Sequence, residues 1–297
     1  MITQRLNPQC IACLLEKNLK NIPESFTIAQ KSEYMQGILK IIGNADVGMS
    51  APEIVGEIRE FKKGFGEVFD YSEIKDYFNR FMMSLEKDIE GKIEKAQNPL
   101  KTAVKYAMQG NFIDFGAMES VDEQRLKKML DNADEIVIDD GEFERFENEI
   151  ISAGKIAYLT DNCGEIVLDK LLIKQMLKLN SGVEINVIVR GEPVLNDCTI
   201  DDAKQVGMDK IVPVTGNGNA VAGTVLGRIS PQAKEIIDNA DMIISKGQGN
   251  FETLQQCGKN IYYLFLCKCK MFADRFGVET FKEIFVNDKN LLNLFVD

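Results

Sequence analysis

Apolar residues recur at three- and four-residue spacing through the first part of the chain. "QCIACLLEKNLKNI" (9–22), "TIAQKSEYMQGILKIIGN" (27–44), "APEIVGEIREFKKGF" (51–65), "YSEIKDYFNRFMMSLEKDIEGKIEKA" (71–96) and "PLKTAVKYAMQG" (99–110) each carry an apolar stripe. That period predicts amphipathic helices. Ser50, and Asn98 ahead of Pro99, predict two of the helix starts. The acidic tract "SLEKDIEGKIEKA" (84–96) reads as a solvated helix face.

After about residue 131 the rhythm changes to short β-branched runs: "EIVI" (135–138), "KIAYL" (155–159), "EINVIV" (184–189), "KIVPV" (210–214), "DMIIS" (241–245) and "IYYLFLC" (261–267). Helical stretches at 164–179, 199–206, 231–239 and 271–276 separate them. Alternation of this kind predicts a parallel sheet between two layers of helices, with right-handed crossovers. We therefore divide the chain into a helical part, 1–130, and an α/β part, 131–297. In such open sheets ligands bind at the carboxyl edge of the strands.

Composition narrows the chemistry. The 297 residues hold 46 acidic and 35 basic side chains, a net charge of -11. Nucleic acid is a poor partner for that surface. No run is long and apolar enough to span a membrane. Seven cysteines, an odd number, fit a reducing cytoplasm, and the amino-terminal residues carry no secretory pattern. Oligomeric state is not legible. The absence of histidine excludes Ser-His-Asp and Cys-His hydrolysis and every His-based metal site.

The strands end in polar segments. Thr160-Asp161-Asn162-Cys163-Gly164-Glu165 comes after the second run. "RGEPVLND", with Arg190, Asn196 and Asp197, comes after the third. Lys246-Gly247-Gln248-Gly249-Asn250 and Lys268-Cys269 come after the last two. Asp161, Asn162 and Asp197 are oxygen donors suited to a hard divalent cation. The lysines and the amides of the Gly247–Gly249 turn suit a phosphate. Taken singly, Asp161 or Asn162 reads equally well as a helix cap, and the Gly-x-Gly as ordinary turn chemistry. Arg190 reads as a phosphate clamp or a surface residue, and Glu165 as a ligand-orienting group or a first-turn acid. "VTGNGNAVAGT" (214–224) lacks the third glycine of a dinucleotide loop and reads as a loop near the site. Cys10-x-x-Cys13 has three readings. The first is two small apolar residues on a buried helix face. The second is a metal site, which Cys267 and Cys269 complete only if the chain ends meet, and the third is a redox pair. Cys163 and Cys198 read as space fillers.

"LTDNCGEIVLDKLLI", "GEPVLNDCTIDDA", "SKGQGNFETL" and "LFLCKCK" together resemble the metal-dependent damage-control phosphatase family, long known as domain of unknown function 89. "NPQCIACLL" and "GNFIDFG" (110–116) are similar to its prokaryotic branch. The likeness runs from Pro8 to about Val278. It implies a Rossmann-like three-layer α/β/α sandwich with a mostly parallel sheet and an amino-terminal helical subdomain. It also implies a divalent metal (Mg²⁺, Mn²⁺, Co²⁺ or Ni²⁺) and hydrolysis of a small phosphorylated metabolite, such as a sugar phosphate. By motif, Asp161, Asn162 and Asp197 take the metal-ligand positions. Lys246, Gly247, Gly249, Asn250 and Lys268 lie where the phosphate is held; Arg190 is a candidate clamp by its chemistry alone. Asn111 and Asp114 fall in the mid-chain motif, which otherwise reads as a loop in which Gly110 and Gly116 serve the backbone. Asp114 or Glu165 is the carboxylate for water activation, and Asp161 could alternatively be a nucleophile. Some eukaryotic members have Arg-Thr before the late lysine. Here Phe265-Leu266-Cys267 stands there, so their substrate is not carried over. A Rossmann-like methyltransferase and a non-catalytic phosphometabolite-binding module are the competing readings.

Overall fold

The computed structural model describes residues 6–114 and 122–293. Its helices α1 (Pro8–Lys20), α2 (Ile28–Asn44), α3 (Ala51–Lys63), α4 (Ser72–Lys95), α5 (Pro99–Gly110), α6 (Glu123–Asp131) and α7 (Asp140–Ser152) precede the sheet. Next come β1 (Lys155–Leu159), α8 (Glu165–Leu179), β2 (Glu184–Val189), α9 (Ile200–Gln205), β3 (Val214–Gly216) and α10 (Pro231–Asp238). The chain continues through β4 (Met242–Lys246), α11 (Gln248–Leu254), β5 (Ile261–Cys267), α12 (Lys270–Phe276) and β6 (Lys282–Asn287).

Both predicted helix starts form. Glu53 accepts from the Ser50 amide at 2.8 Å, and Asn98 Oδ1 accepts from the Lys101 amide at 2.9 Å, with Pro99 on the first turn. Caps of this kind contribute about 1 kcal/mol each.

The sheet order is β3-β2-β1-β4-β5-β6. All pairs are parallel except β5 with β6. Alternate strand residues feed two cores. Ile156, Tyr158, Val187, Ile244 and Leu264 face α4, α5, α7 and α8, while Ala157, Leu159, Ile188, Ile243 and Phe265 face α10, α11 and α12. This is the three-layer sandwich. Helices α1–α3 form a smaller core of their own around Tyr34, Ile38 and Ile54. Phe78, Met82, Leu100 and Val104, on α4 and α5, belong instead to the sheet's first core. No helix among the described residues is long and apolar enough to cross a membrane.

Three local expectations fail. "EIVI" is not a strand. Residues 133–135 form a 3-10 turn, after which Ile136 and Ile138 bury while Val137 is 85% exposed. The alternation marks an extended segment lying on the core, with no strand beside it among the described residues. "KIVPV" begins in a 3-10 turn (Met208–Lys210), so β3 starts only at Val214; Pro213 offers β2 its carbonyl but has no amide to extend the ladder. The acidic tract of α4 does not simply face water. Glu86, Glu90 and Glu94 meet Lys170, Lys174 and Lys178 of α8 at 2.8, 2.7 and 2.9 Å, because both helices repeat charge every four residues.

Candidate active site

After β2 and β3 have been laid to one side of β1, the chain crosses to β4 on the other side, so β1 and β4 border a topological switch point. In such sheets the crevice opens at this place. The loops after β1 and β2 are fastened there by backbone. Cys198 N–H donates to the Asp161 carbonyl at 2.7 Å, Cys163 N–H donates to the Asn196 carbonyl at 2.8 Å, and Asn162 bridges Asp197. This pairing sets Asp161, Asn162 and Asp197 side by side, all buried.

Their side chains are held in defined orientations. Asp161 Oδ2 accepts from Asn162 Nδ2 (2.8 Å) and from Asn111 Nδ2 (2.9 Å), the latter reaching over from the end of α5. Asn162 Nδ2 also donates to Glu165 Oε2 at 3.0 Å. Both partners of that nitrogen are carboxylate oxygens, so the amide cannot be turned round, and its own oxygen points away from them. Asn111 is fixed in the same way, its Oδ1 taking the Leu266 N–H at 3.0 Å.

Arg190 joins the two acidic loops. Its Nε donates to Asp197 Oδ2 at 2.6 Å, its Nη2 to Asp161 Oδ1 at 3.4 Å, and its Nη1 to the Gly223 carbonyl and Asn250 Oδ1, both at 3.0 Å. The 214–224 loop therefore does reach the site. Asn250, expected on the substrate, is committed elsewhere. Its amide nitrogen donates to the carbonyls of Thr160 (3.0 Å) and Lys246 (2.8 Å), and its oxygen takes Arg190 and Thr224 Oγ1. It is a buried staple between β1, β4 and the loop.

Lys246 corrects a second expectation. Its ammonium does not face an anion-binding opening. It donates to Glu165 Oε1 and Asp169 Oδ1, both at 2.6 Å, and to the Ala107 carbonyl at 2.9 Å, fully buried. Three donors meet three acceptors. Burial works against the charge, but Asp169 and Glu165 outweigh it and hold the ammonium above its ordinary range. The Gly247–Asn250 segment is likewise not an open turn. Gly247 takes φ +80° and α11 begins at Gln248. A Cβ on Gly247 would stand 2.0 Å from Asp161 Oδ2, and one on Gly249 would stand 2.2 Å from the Ala222 carbonyl. The glycines permit close packing.

Asp114 and Lys268 pair at 2.6 Å and are the half-buried charges of the group. Phe115 and Gly116, the rest of that motif, lie outside the described residues. Asp169 was missed. It lies one helical turn after Glu165 in "EIVLDKLLI", and a second acid on the same face of a largely apolar helix was the available signal. Tyr158 donates to it at 2.8 Å.

Among the described residues no three Cys, Asp or Glu side chains stand together as a metal-holding group, so a cation at this edge would rest on two carboxylates and an amide oxygen. Asp114, Asp161, Glu165, Asp169 and Asp197 put five carboxyl groups beside the three cationic side chains Arg190, Lys246 and Lys268. Burial first, then Asp197 and Glu165, push Asp161 well above the carboxylate range despite Arg190. Burial also raises Asp197, Arg190 opposing. Asn162 Oδ1 and the remaining lone pairs of the Asp161 and Asp197 carboxyl oxygens are hard donors of the kind a divalent cation takes.

The damage-control phosphatase ARMT1-like domain model matches residues 6–284. A damage-control phosphatase of Archaeoglobus fulgidus is 32% identical over 214 residues, covering 70% of this chain and 72% of that one. A damage-control phosphatase of Pyrococcus horikoshii is 37% identical over 182 residues, covering 60% and 62%. An uncharacterized protein of Methanocaldococcus jannaschii is 27% identical over 287 residues, 93% of each chain. The crystal structure of a DUF89-family protein from Pyrococcus horikoshii superposes with a TM-score of 0.75 at 26% identity, over 95% of this chain and 99% of that one. The chain belongs to the damage-control phosphatase ARMT1-like domain family.

Proposed function

We propose that this member of the damage-control phosphatase family is a divalent-metal-dependent phosphatase of small phosphorylated metabolites. Asp161, Asn162 and Asp197 would hold the metal. One observation carries the reading: two buried carboxylates and an orientation-locked amide oxygen converge at the switch point, in a cluster with more acid than base.

A divalent ion there would neutralise phosphoryl oxygens and lower the pKa of an attacking water. The chain's own residues supply the rest. Arg190 spaces the two acidic loops and offsets part of their charge. Asn111 and Glu165 orient Asp161 and Asn162. Lys246 holds Glu165 in place, which makes it a positioning residue and leaves phosphate contact to others. Asp161 Oδ2 is occupied by two amide donors and Oδ1 faces Arg190, so this carboxylate suits ligation better than nucleophilic attack. Glu165, held by Lys246, Asn111 and Asn162, suits an orienting role, and Asp114 beside Lys268 is the carboxylate assigned to take a proton from water. Its partner Lys268 is the ammonium placed to meet the phosphoryl group once substrate separates the pair. The odd count of seven cysteines supports a reducing, cytoplasmic setting.

Phosphate release from p-nitrophenyl phosphate and a panel of sugar phosphates, with Mg²⁺, Mn²⁺, Co²⁺ or Ni²⁺ present, tests the reading. Turnover of at least one ester supports it. Binding of an ester with no phosphate released by any metal would leave only a binding module.

A further inference from the structure

Asn79 is fully buried on α4, and both ends of its amide are engaged. Its Oδ1 accepts the Gly164 N–H at 2.6 Å, while Nδ2 donates to Asp202 Oδ1 at 3.0 Å and to Gln205 Oε1 at 2.7 Å. Gln205 is itself fixed, its Nε2 donating to Asp76 Oδ1 at 2.6 Å. An oxygen that faces a backbone donor and a nitrogen that faces two acceptors leave the amide one orientation.

These partners belong to the two segments that carry Asp161, Asn162 and Asp197. Gly164 lies two residues after Asn162 and turns the loop from β1 into α8 with φ +70°. It is pressed against α4, since a Cβ there would stand 3.0 Å from the Phe78 carbonyl oxygen. Asp202 closes the other segment. Its Oδ2 accepts from the N–H and Oγ1 of Thr199 at 2.8 and 2.7 Å, which caps α9 two residues after Asp197. Lys75, one turn before Asn79 on α4, meets the same carboxylate at 2.6 Å and balances its charge. Phe78 and Met82, neighbours on α4, serve the core by packing alone. Asn79 instead directs its bonds to the ends of two loops.

We propose that Asn79 is a positioning residue for the metal site. One amide, anchored on α4, holds the Asp161–Asn162 loop and the Asp197 loop in fixed relation to each other. This role rests on the metal site of the proposed function. Groups that orient metal ligands from behind set metal affinity by about 10–100-fold.

Mn²⁺ affinity, read by electron paramagnetic resonance of the free ion over the full chain stripped of metal, tests the assignment. Asn79→Asp keeps an acceptor for Gly164 but loses the donor and sets a carboxylate against Asp202. It should weaken Mn²⁺ binding about 10–100-fold. Adding Asp202→Asn exchanges donor and acceptor across the same contact, with an amide oxygen left for Thr199, and should recover the affinity. Asn79→Leu, uncharged and of similar shape, loses both bonds and should bind Mn²⁺ at least as weakly. Ile93→Ala opens the core further along α4, so it should lower stability and leave Mn²⁺ affinity unchanged. That contrast separates positioning from general loosening. In the metal-free chain, hydrogen exchange at the Gly164 amide should quicken in Asn79→Leu and stay slow in Asn79→Asp.

Asp161→Ala provides the reference. If the wild type binds Mn²⁺ no better than Asp161→Ala, the metal site fails and the role of Asn79 fails with it. If the wild type binds through Asp161 and Asn79→Asp binds equally well, or weakens no more than Ile93→Ala, the metal site stands and the proposal is overturned.

Discussion

Arg190 Nε stands 2.6 Å from Asp197 Oδ2, while Nη2 of the same guanidinium stands 3.4 Å from Asp161 Oδ1. One planar fork thus sets the spacing of two carboxylates delivered by different loops. Lysine keeps the charge but cannot make these contacts together with those to Gly223 and Asn250. Arg190→Lys should lower kcat/KM about 100-fold, the scale of a misplacement near 1 Å. Steady-state kinetics would check this, and a loss below threefold would contradict it.

Lys246 is predicted to matter first for stability. Lys246→Met leaves Glu165 and Asp169 buried without their cation, a loss of about 3–5 kcal/mol. Urea unfolding would measure it. Adding Asp169→Asn should restore part of the stability, since it removes one of the unpaired charges.

The same triad sets a pH dependence. Burial first, opposed by Lys246, raises Asp169 to about 6 from 3.8. The folded state therefore holds the proton more tightly than the unfolded chain does between those values. Through Asp169, stability falls as pH rises across that window and is flat above it. Asp169→Asn should flatten the slope of unfolding free energy between about pH 4 and 6. An unchanged slope would remove Asp169 as its source.

Gly247 is needed for room as much as for its φ of +80°. In Gly247→Ala the new Cβ would meet Asp161 Oδ2 at 2.0 Å, so Asp161 must move. Mn²⁺ should raise the melting temperature of the wild type and have little effect on the variant. Equal shifts in the two would show that Asp161 stays in place or is not a ligand.

The sequence made much of this edge legible, because strand-end polar residues must converge when the strands are parallel. Asp161, Asn162 and Asp197 come together as their spacing implied. It could not show which polar groups are already committed to one another. Lys246 and Asn250 carry the residue types of a phosphate site, yet their donors and acceptors are used inside the fold by partners as distant as Ala107 and Thr224. Neither long-range partner leaves a local signal. β6 was missed for a related reason: "KEIFVN" is a strand mainly because the open edge of β5 accepts it in antiparallel register.

On the proposed function, Asp161 holds a metal on which phosphoester hydrolysis depends. The direct measurement is phosphate release after EDTA treatment, with metal restored, in the wild type and Asp161→Ala side by side. EDTA should abolish activity, and Mg²⁺, Mn²⁺, Co²⁺ or Ni²⁺ should restore it in the wild type alone. Turnover that survives EDTA, or that metal restores equally in Asp161→Ala, would contradict it.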